Sequence, residues 1–253
     1  MTPDVVVDVG NTRIKWGLVE VGSVRLLASL PHSNPGAWAE QLAAWHLDRT
    51  VRWAAAGVQP GELATFERWA ESRGDEVRVI SSYKHLPIAL DVDEPAKVGI
   101  DRLLNAVAAK FHTGPGISAV VIDVGTAVTV DLLDEGVFAG GAIFPGPRLM
   151  AKSLNDHTAK LPLVEPAPVP PGRAWGANTR EAIEVGLAAA VIGAADHLVR
   201  EMAERVKPLR WVFVTGGAHG YFGEFKFASV GAKVVTTYKL TLEGIRVTAE
   251  ALP

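Results

Sequence analysis

The 253-residue sequence predicts an α/β fold with two similar halves. Apolar runs of strand length alternate along the chain with segments of helical period, which is the pattern of α/β proteins. In addition, an apolar run that ends in Asp-Val-Gly, with a threonine close behind it, occurs at Val5–Lys15 and again at Ala119–Asp131. This repeat indicates a duplicated fold whose two loops face one cleft, although so short a repeat can also arise by chance.

The first of these stretches, VVVDVGNTRIK, has the composition of a phosphate-binding loop. Valines on both sides of Asp8 predict a strand that is buried on both faces. A carboxylate in such a strand needs a strong partner, for example a metal ion or a cluster of hydrogen-bond donors. The Gly10-Asn11-Thr12 turn and Lys15 then complete a cradle for a metal-bound polyphosphate. The alternative is an ordinary hairpin in which Asp8 lies at the end of a strand.

Composition and charge exclude several classes of function. The 48% hydrophobic content suffices for a sizeable core, and the formal net charge of −3 gives no reason to expect nucleic-acid binding. The absence of cysteine excludes disulfides, thiolate zinc sites and cysteine nucleophiles, and it is compatible with a reducing cytoplasm. The first strand leaves no room for a signal peptide, and the most apolar long segment, Ile183–Ala195, is too short to span a bilayer. We therefore expect a cytoplasmic protein without membrane or nucleic-acid partners.

The remaining elements follow from period and turn signals. Strands are predicted at Trp16–Val19, Val24–Leu30, Val51–Ala56, Val77–Ser81, Val137–Ile143 and Trp211–Thr215, and helices at Pro35–His46, Glu62–Arg73, Arg148–Asn155, Gly176–Val206 and Thr241–Leu252. A Gly-Pro-Gly break at residues 114–116 divides the chain into halves of residues 1–114 and 115–253. The proline-rich stretch Pro162–Pro171 is expected to be a stiff surface connection, and it is a candidate lid.

The segment Val98–Phe111 is predicted to form a glycine turn followed by a helix. Asp101 and Arg102 then lie in the first helical turn, where the helix dipole favours a carboxylate and free N–H groups bind anions. An ionised carboxylate beside an arginine can accept a hydroxyl proton while the arginine binds an acidic substrate. The alternative is an acid that only caps the helix, next to a surface arginine.

With these stretches in place, the sequence resembles the type III pantothenate kinases of the actin-like ATPase and sugar-kinase superfamily. The motifs follow the family's order over nearly the whole chain, and the ordered set is far more specific than any one of them. They are DVGNTRIKWGL at Asp8–Leu18, GIDR at Gly99–Arg102, DVGTAVTVD at Asp123–Asp131, GGAIFPG at Gly140–Gly146, TAKLP at Thr158–Pro162, GANT at Gly176–Thr179 and VTGG at Val214–Gly217.

The resemblance implies a duplicated ribonuclease-H-like or actin-like ATPase fold, with two similar halves around a nucleotide cleft. It implies transfer of the ATP γ-phosphate to the terminal hydroxyl of pantothenate, with Mg²⁺ accompanying ATP and with a monovalent cation, K⁺ or NH₄⁺. It also implies a homodimer. Carried over by position, the ATP-binding residues are Asp8, Val9, Gly10, Asn11, Thr12, Arg13, Ile14, Lys15 and Thr126, with Asp8 close to magnesium. Asp101 is the implied general base, Asp123 the implied monovalent-cation ligand, and the implied pantothenate-binding residues are Gly99, Ile100, Asp101, Arg102 and Thr179.

One position departs from the family pattern. The family has a substrate-contacting tyrosine nine residues before the catalytic aspartate, and Val92 occupies that position here. Valine cannot donate the corresponding hydrogen bond, so the pantothenate pocket differs while the phosphate and base motifs are intact. Two other functions therefore stay open: a kinase that acts on another small hydroxy acid, and a non-catalytic nucleotide-binding regulator of the same fold. Retention of four residues together argues against the regulator: Asp8, Lys15, Asp101 and Arg102.

Overall fold

The computed structural model describes residues 1–167, 174–206, 208–223, 227 and 230–252. The strands are β1 (Val5–Val9), β2 (Ile14–Glu20), β3 (Ser23–Leu30), β4 (Arg52–Gly57), β5 (Glu76–Val79), β6 (Ser118–Val124), β7 (Ala127–Asp134), β8 (Val137–Pro145), β9 (Leu209–Thr215) and β10 (Lys233–Thr236). The α-helices are α1 (Pro35–Ala44), α2 (Pro60–Ser72), α3 (Ile100–Thr113), α4 (Pro147–Asp156), α5 (Thr179–Arg205) and α6 (Leu240–Ala251).

These elements form two compact units. Unit 1 consists of Met1–His112 together with Lys239–Pro253, and unit 2 consists of Thr113–Tyr238. The sequence placed the closing helix in the second half, whereas α6 packs within unit 1. The physical reason is that α6 buries both its apolar residues and the charged Glu243 and Arg246 against the elements of unit 1.

The two sheets have the same topology. Unit 1 has the strand order β3-β2-β1-β4-β5, and unit 2 has the order β8-β7-β6-β9-β10. In unit 1, β2 pairs antiparallel with both β1 and β3, whereas β4 pairs parallel with both β1 and β5. In unit 2, β7 pairs antiparallel with both β6 and β8, whereas β9 pairs parallel with both β6 and β10. The predicted duplication of the fold is confirmed by this identity of order and direction.

An aromatic cluster fills one side of the sheet of unit 1. The rings of Trp16, Trp53 and Phe66 lie within 6.0 Å of one another, centroid to centroid. All three are essentially inaccessible to solvent. Trp53 Nε1 donates to the buried carboxylate of Asp75 over 2.9 Å. The cluster packs β2 and β4 against α2 and so fixes β2, the strand that follows the first glycine loop.

Helix α5 in unit 2 lies within the helix predicted at Gly176–Val206, and its apolar part is longer than the segment Ile183–Ala195. Its buried residues recur at helical spacing. Ala188, Val191, Ala195 and Val199 pack in one cluster with the sheet of unit 2, whereas Ile183 and Leu187 pack in another with Ala151 of α4 and Val164. By length and composition alone this helix could cross a membrane, and 33% of its most apolar part is buried inside the protein. Core helices of soluble proteins meet the same criterion, so this finding is weak evidence for a membrane.

Strand β10 is an element that the sequence did not predict, whereas the described part of the proline-rich stretch agrees with the prediction. Strand β10 was not predicted, because it is a four-residue edge strand with only two apolar residues, Val234 and Val235. The proline-rich stretch has no regular secondary structure from Pro162 to residue 167, and its remaining part lies outside the described residues.

Candidate active site

The first candidate loop connects β1 to β2, and the two strands form an antiparallel hairpin. Val9 and Ile14 are buried opposite each other, and the Gly10 N–H donates to the carbonyl of Arg13 over 3.1 Å. The intervening residues Asn11 and Thr12 are exposed, as is Arg13. The hairpin therefore presents its backbone, an amide, a hydroxyl and a guanidinium at one tip.

Asp8 is buried behind this tip, with 6% of its surface exposed. Burial raises the pKa of its carboxyl; Lys15 opposes that shift and the nearby carboxylate of Asp101 adds to it. Lys15, the register partner of Asp8, places Nζ 3.5 Å from Asp8 Oδ2. The strong partner that the sequence required for Asp8 is therefore a lysine, with a second carboxylate close by.

Two residues that the sequence analysis did not single out support the loop. Gly57 ends β4 beside Val9, and a Cβ on Gly57 would lie 2.7 Å from the Val9 carbonyl oxygen, so no side chain fits there. Gln59 Nε2 donates to Asn11 Oδ1 over 2.7 Å and holds the tip from the side. A signal for the glycine was present, since RWAAAG ends an apolar run in the same way as VVVDVG.

The predicted base lies in the first turn of α3, as expected. Asp101 Oδ1 accepts a hydrogen bond from the Arg102 backbone N–H over 2.9 Å, which folds the carboxylate back onto the helix N-terminus. A Cβ on Gly99 would lie 2.6 Å from that same oxygen. Glycine at position 99 thus leaves the space that the carboxylate occupies. Ile100 and Arg102 are partly exposed on either side of it.

The second candidate loop connects β6 to β7 in unit 2. Thr126 is exposed at its tip, and the Gly125 N–H donates to the carbonyl of Ala127 over 3.0 Å. Gly146, at the end of β8, donates its N–H to the Thr126 carbonyl over 2.9 Å, and a side chain there would overlap the loop backbone. Gly146 was not among the predicted site residues, although it belongs to the GGAIFPG motif.

Asp123 lies partly buried at the start of this second loop. Gly216, which follows β9, adopts a φ of +93°, and a Cβ on it would lie 2.5 Å from the Val124 nitrogen and closer still to the Asp123 carboxylate. The Ala218 N–H donates to the Val124 carbonyl over 2.9 Å, and His219 Nδ1 lies 2.7 Å from the Gly216 carbonyl oxygen. The Gly216-Gly217 turn and the second loop are therefore packed as one piece.

Thr179 is placed on a separate element of unit 2, as the first residue of α5, where it is exposed. The helix start around it is firmly capped. Asn178 Oδ1 accepts from the Glu181 N–H over 3.0 Å, and Glu181 in turn accepts from the Ala177 N–H over 2.8 Å. These two hydrogen bonds fix the backbone at the N-terminus of α5 and therefore the position of Thr179.

Within the described residues, no group of three or more His, Cys, Asp or Glu side chains is arranged to hold a metal ion. A site for Mg²⁺ does not require such a cage, because Mg²⁺ is usually held by one or two carboxylates together with substrate phosphates and water. Asp8, which lies within electrostatic reach of the Asp101 carboxylate, is the candidate ligand for such an ion.

Comparison with known proteins assigns these motifs to a family. A family model described as type III pantothenate kinase matches residues 5–201, a range that contains both loops and the first turn of α3. The chain belongs to the type III pantothenate kinase family. A type III pantothenate kinase of Dehalococcoides mccartyi is 30% identical over 256 residues, which cover 96% of this chain and 95% of that protein. One of Thermomicrobium roseum is 34% identical over 213 residues, with coverage of 80% and 79%.

A solved structure shows the same fold at low identity. Component A of the (R)-2-hydroxyglutaryl-CoA dehydratase of Acidaminococcus fermentans aligns with a TM-score of 0.52 at 15% identity, over 100% of this chain and 98% of that one. Together with the matching order of the two sheets, the family membership confirms the predicted α/β class and the duplicated actin-like ATPase fold.

Proposed function

We propose that the protein transfers the γ-phosphate of ATP to the terminal hydroxyl of pantothenate and forms 4′-phosphopantothenate, the first step of coenzyme A biosynthesis. The observation that carries this proposal is the placement of Asp101 within electrostatic reach of Asp8, in a chain of the type III pantothenate kinase family. A phosphate loop and a candidate base then belong to one compact unit.

In this proposal Asp101 is the general base. Its carboxylate is held by the Arg102 N–H at a helix start, which leaves its second oxygen for the pantothenate hydroxyl. Phosphoryl transfer depends mainly on positioning and on neutralisation of charge, so one well-placed acceptor of the hydroxyl proton suffices. Gly99, Ile100 and Arg102 surround this acceptor on the substrate side.

The loop from Asp8 to Lys15 and Thr126 hold the ATP phosphates in this proposal. Lys15 supplies a positive charge, and the exposed tip supplies N–H and hydroxyl donors. Magnesium, when bound with ATP, would neutralise charge on the phosphates, and Asp8 is the residue placed to hold it or its water ligands. Asp123 is assigned to a monovalent cation, K⁺ or NH₄⁺, next to the second loop.

Pantothenate is a carboxylate, and Arg102 is its proposed partner because a guanidinium binds carboxylates in a fixed geometry. Thr179 is proposed to donate a further hydrogen bond from the start of α5. Val92 is partly buried ahead of α3 and cannot replace the hydrogen bond of a tyrosine. This departure is the one observation that favours the second candidate, a kinase for another small hydroxy acid.

A homodimer in the cytoplasm is also part of the proposal. Helix α5 exposes small residues on the side opposite its buried face, which permits close approach of another helix: Ala182, Gly186, Ala189, Ala190 and Gly193. Sedimentation velocity at assay concentration should give the mass of a dimer, and Gly193→Arg should give monomers. A wild-type monomer would contradict this part of the proposal.

The deciding experiment measures ADP release from ATP and magnesium, with and without pantothenate, in potassium and in sodium buffer. We expect release that requires pantothenate and that is faster in potassium. Asp101→Asn should slow it by about 10²- to 10⁴-fold, the usual contribution of a general base. Asp91→Asn, an exposed aspartate of the same unit, is the matched control and should keep the wild-type rate.

Each outcome separates the parts of the proposal. Release without ion preference would remove the cation from Asp123 and keep the kinase. Release with other hydroxy acids but not with pantothenate would establish the second candidate. A wild-type rate in Asp101→Asn would remove Asp101 as the base, and no release with any acceptor would contradict kinase activity.

A further inference from the structure

Helices α3 and α6 share a buried polar contact one turn after the proposed base. Thr241 Oγ1 donates to Asn105 Oδ1 over 2.8 Å, across 136 residues of sequence. Asn105 is 1% exposed and Thr241 is 7% exposed. We propose that Thr241 and Asn105 are a positioning pair, which fixes the rotation of α3 about its axis and thereby the carboxylate of Asp101. This inference rests on the proposed role of Asp101 as the base.

The spacing along α3 supports this role. Asn105 follows Asp101 by four residues, so the two side chains lie on the same face of the helix, one turn apart. A hydrogen bond to Asn105 therefore constrains the face that also carries the carboxylate. Rotation of α3 would move Asp101 relative to Asp8 and Lys15, which belong to the hairpin of β1 and β2 and not to the helix.

The apolar contacts of α3 do not define its rotation well. Every residue from Leu103 to Ala109 is buried, so this part of the helix has no exposed face that would identify one orientation. Its buried side chains include three alanines, which leave little shape for a neighbour to recognise. A directional hydrogen bond supplies the orientation that non-directional burial does not.

Helix α6 can act as a fixed reference because the sheet of unit 1 holds it. Glu243 Oε1 accepts from the Val24 N–H over 3.0 Å, and Lys239 Nζ donates to the Val24 carbonyl over 2.8 Å. At Gly244 the helix backbone meets the Leu104 carbonyl so closely that no side chain fits between them. Gly244 therefore sets the distance between the helices, and the contact of Thr241 with Asn105 sets the rotation.

The test replaces Thr241 by valine, which keeps the shape and removes the donor. We expect kcat to fall about tenfold, because small misplacements of catalytic groups reduce rate strongly, while KM for ATP changes less than about twofold. Thr241→Ser keeps the hydroxyl and should restore kcat. Phe66→Leu changes a side chain of α2 whose ring packs on Trp16 and Trp53, so it should lower stability and keep kcat at temperatures where it is folded. If Thr241→Val does not fold, Thr241→Cys takes its place. Its S–H group is a weak donor, so its kcat should lie between that of wild type and the tenfold lower value expected without a donor.

A double substitution separates this inference from the proposed function. In single-turnover reactions with enzyme in excess, Thr241→Val should have little further effect in the Asp101→Asn background, because both changes act on the same group. Effects that multiply would show that Thr241 acts elsewhere and would overturn the inference. A wild-type kcat in folded Thr241→Val would overturn it and leave Asp101 as the base. A wild-type rate in Asp101→Asn would overturn the proposed base, and this inference with it.

Discussion

The two hairpins that carry the candidate loops have the same topology but different partners for their aspartates. In the first, Asp8 lies directly opposite Lys15. In the second, Asp123 lies directly opposite Thr129. Residues that oppose each other on neighbouring strands project from the same face of the sheet, so the cross-strand neighbour is a cation in one unit and a hydroxyl in the other.

Under the proposed function, this difference explains how the two copies of the loop take different roles. The first hairpin has a fixed positive charge beside its aspartate, as a polyphosphate site requires. The second hairpin has none at the equivalent position, and a monovalent cation at Asp123 would supply it. Both units retain a glycine packed on a key carboxylate, namely Gly99 on Asp101 and Gly216 on Asp123.

Removal of the fixed charge should have the largest effect. We expect Lys15→Met to lower kcat/KM for ATP by about 10²- to 10³-fold, as is typical when one preorganised electrostatic contact to a transferred group is lost. Thr129→Val is the matched change in the other hairpin. Its buried hydroxyl has no hydrogen-bond partner in the described structure, so this variant should stay within about twofold of wild type in rate, since no bond is lost. Equal losses in both variants, measured by steady-state kinetics, would contradict the division of roles.

Substitution of Gly99, the glycine beside Asp101, should have the second-largest effect on rate. In Gly99→Ala the new methyl group would overlap the carboxylate, and kcat should fall by about 10- to 100-fold through displacement of the base. Gly61→Ala, where nothing lies within 4 Å of the new Cβ, is the control and should keep kcat. The measurement is kcat of both variants and of wild type at saturating ATP and pantothenate. An unchanged kcat in Gly99→Ala would show that the carboxylate tolerates displacement.

A lysine placed opposite Asp123, as Lys15 lies opposite Asp8, should change the rate less than the two substitutions above. Thr129→Lys places an ammonium opposite Asp123, and we expect the ratio of kcat in potassium to kcat in sodium to fall at least about threefold, because a fixed charge replaces the mobile one. Thr129→Met has similar length without charge and should keep the wild-type ratio. An unchanged ratio in Thr129→Lys would separate the cation requirement from the position opposite Asp123.

The sequence predicted where the two turns lie, because their residues are local and unusual. An acid inside an apolar strand, followed by a glycine turn, identifies Asp8 and Asp123 without any knowledge of tertiary structure. The supports of the site were not predictable in this way, since Gln59 reaches Asn11 and Thr241 reaches Asn105 only after the chain has folded. The unit that contains α6 was misplaced for the same reason, because its packing partners precede it by more than a hundred residues.

The smallest expected effect concerns two equivalent turns, the one that connects β2 to β3 and the one that connects β7 to β8. Val21-Gly22 in unit 1 and Glu135-Gly136 in unit 2 both have two consecutive positive φ values, with 49° at each non-glycine residue. This is the conformation of type I′ turns, in which Asn-Gly is the preferred pair and a β-branched residue is strained. Val21 is also 96% exposed, so its side chain contributes no packing that would offset the strain.

We therefore expect Val21→Asn to raise the free energy of unfolding by about 1 kcal/mol, in the range of relieved backbone strain. Glu135→Asn should gain less, because glutamate is not β-branched and strains the same turn less. Denaturant unfolding at equal protein concentration, with and without ATP, measures both variants. Equal gains would mean that the turn conformation alone determines the benefit, whereas a loss in Val21→Asn would contradict backbone strain at Val21.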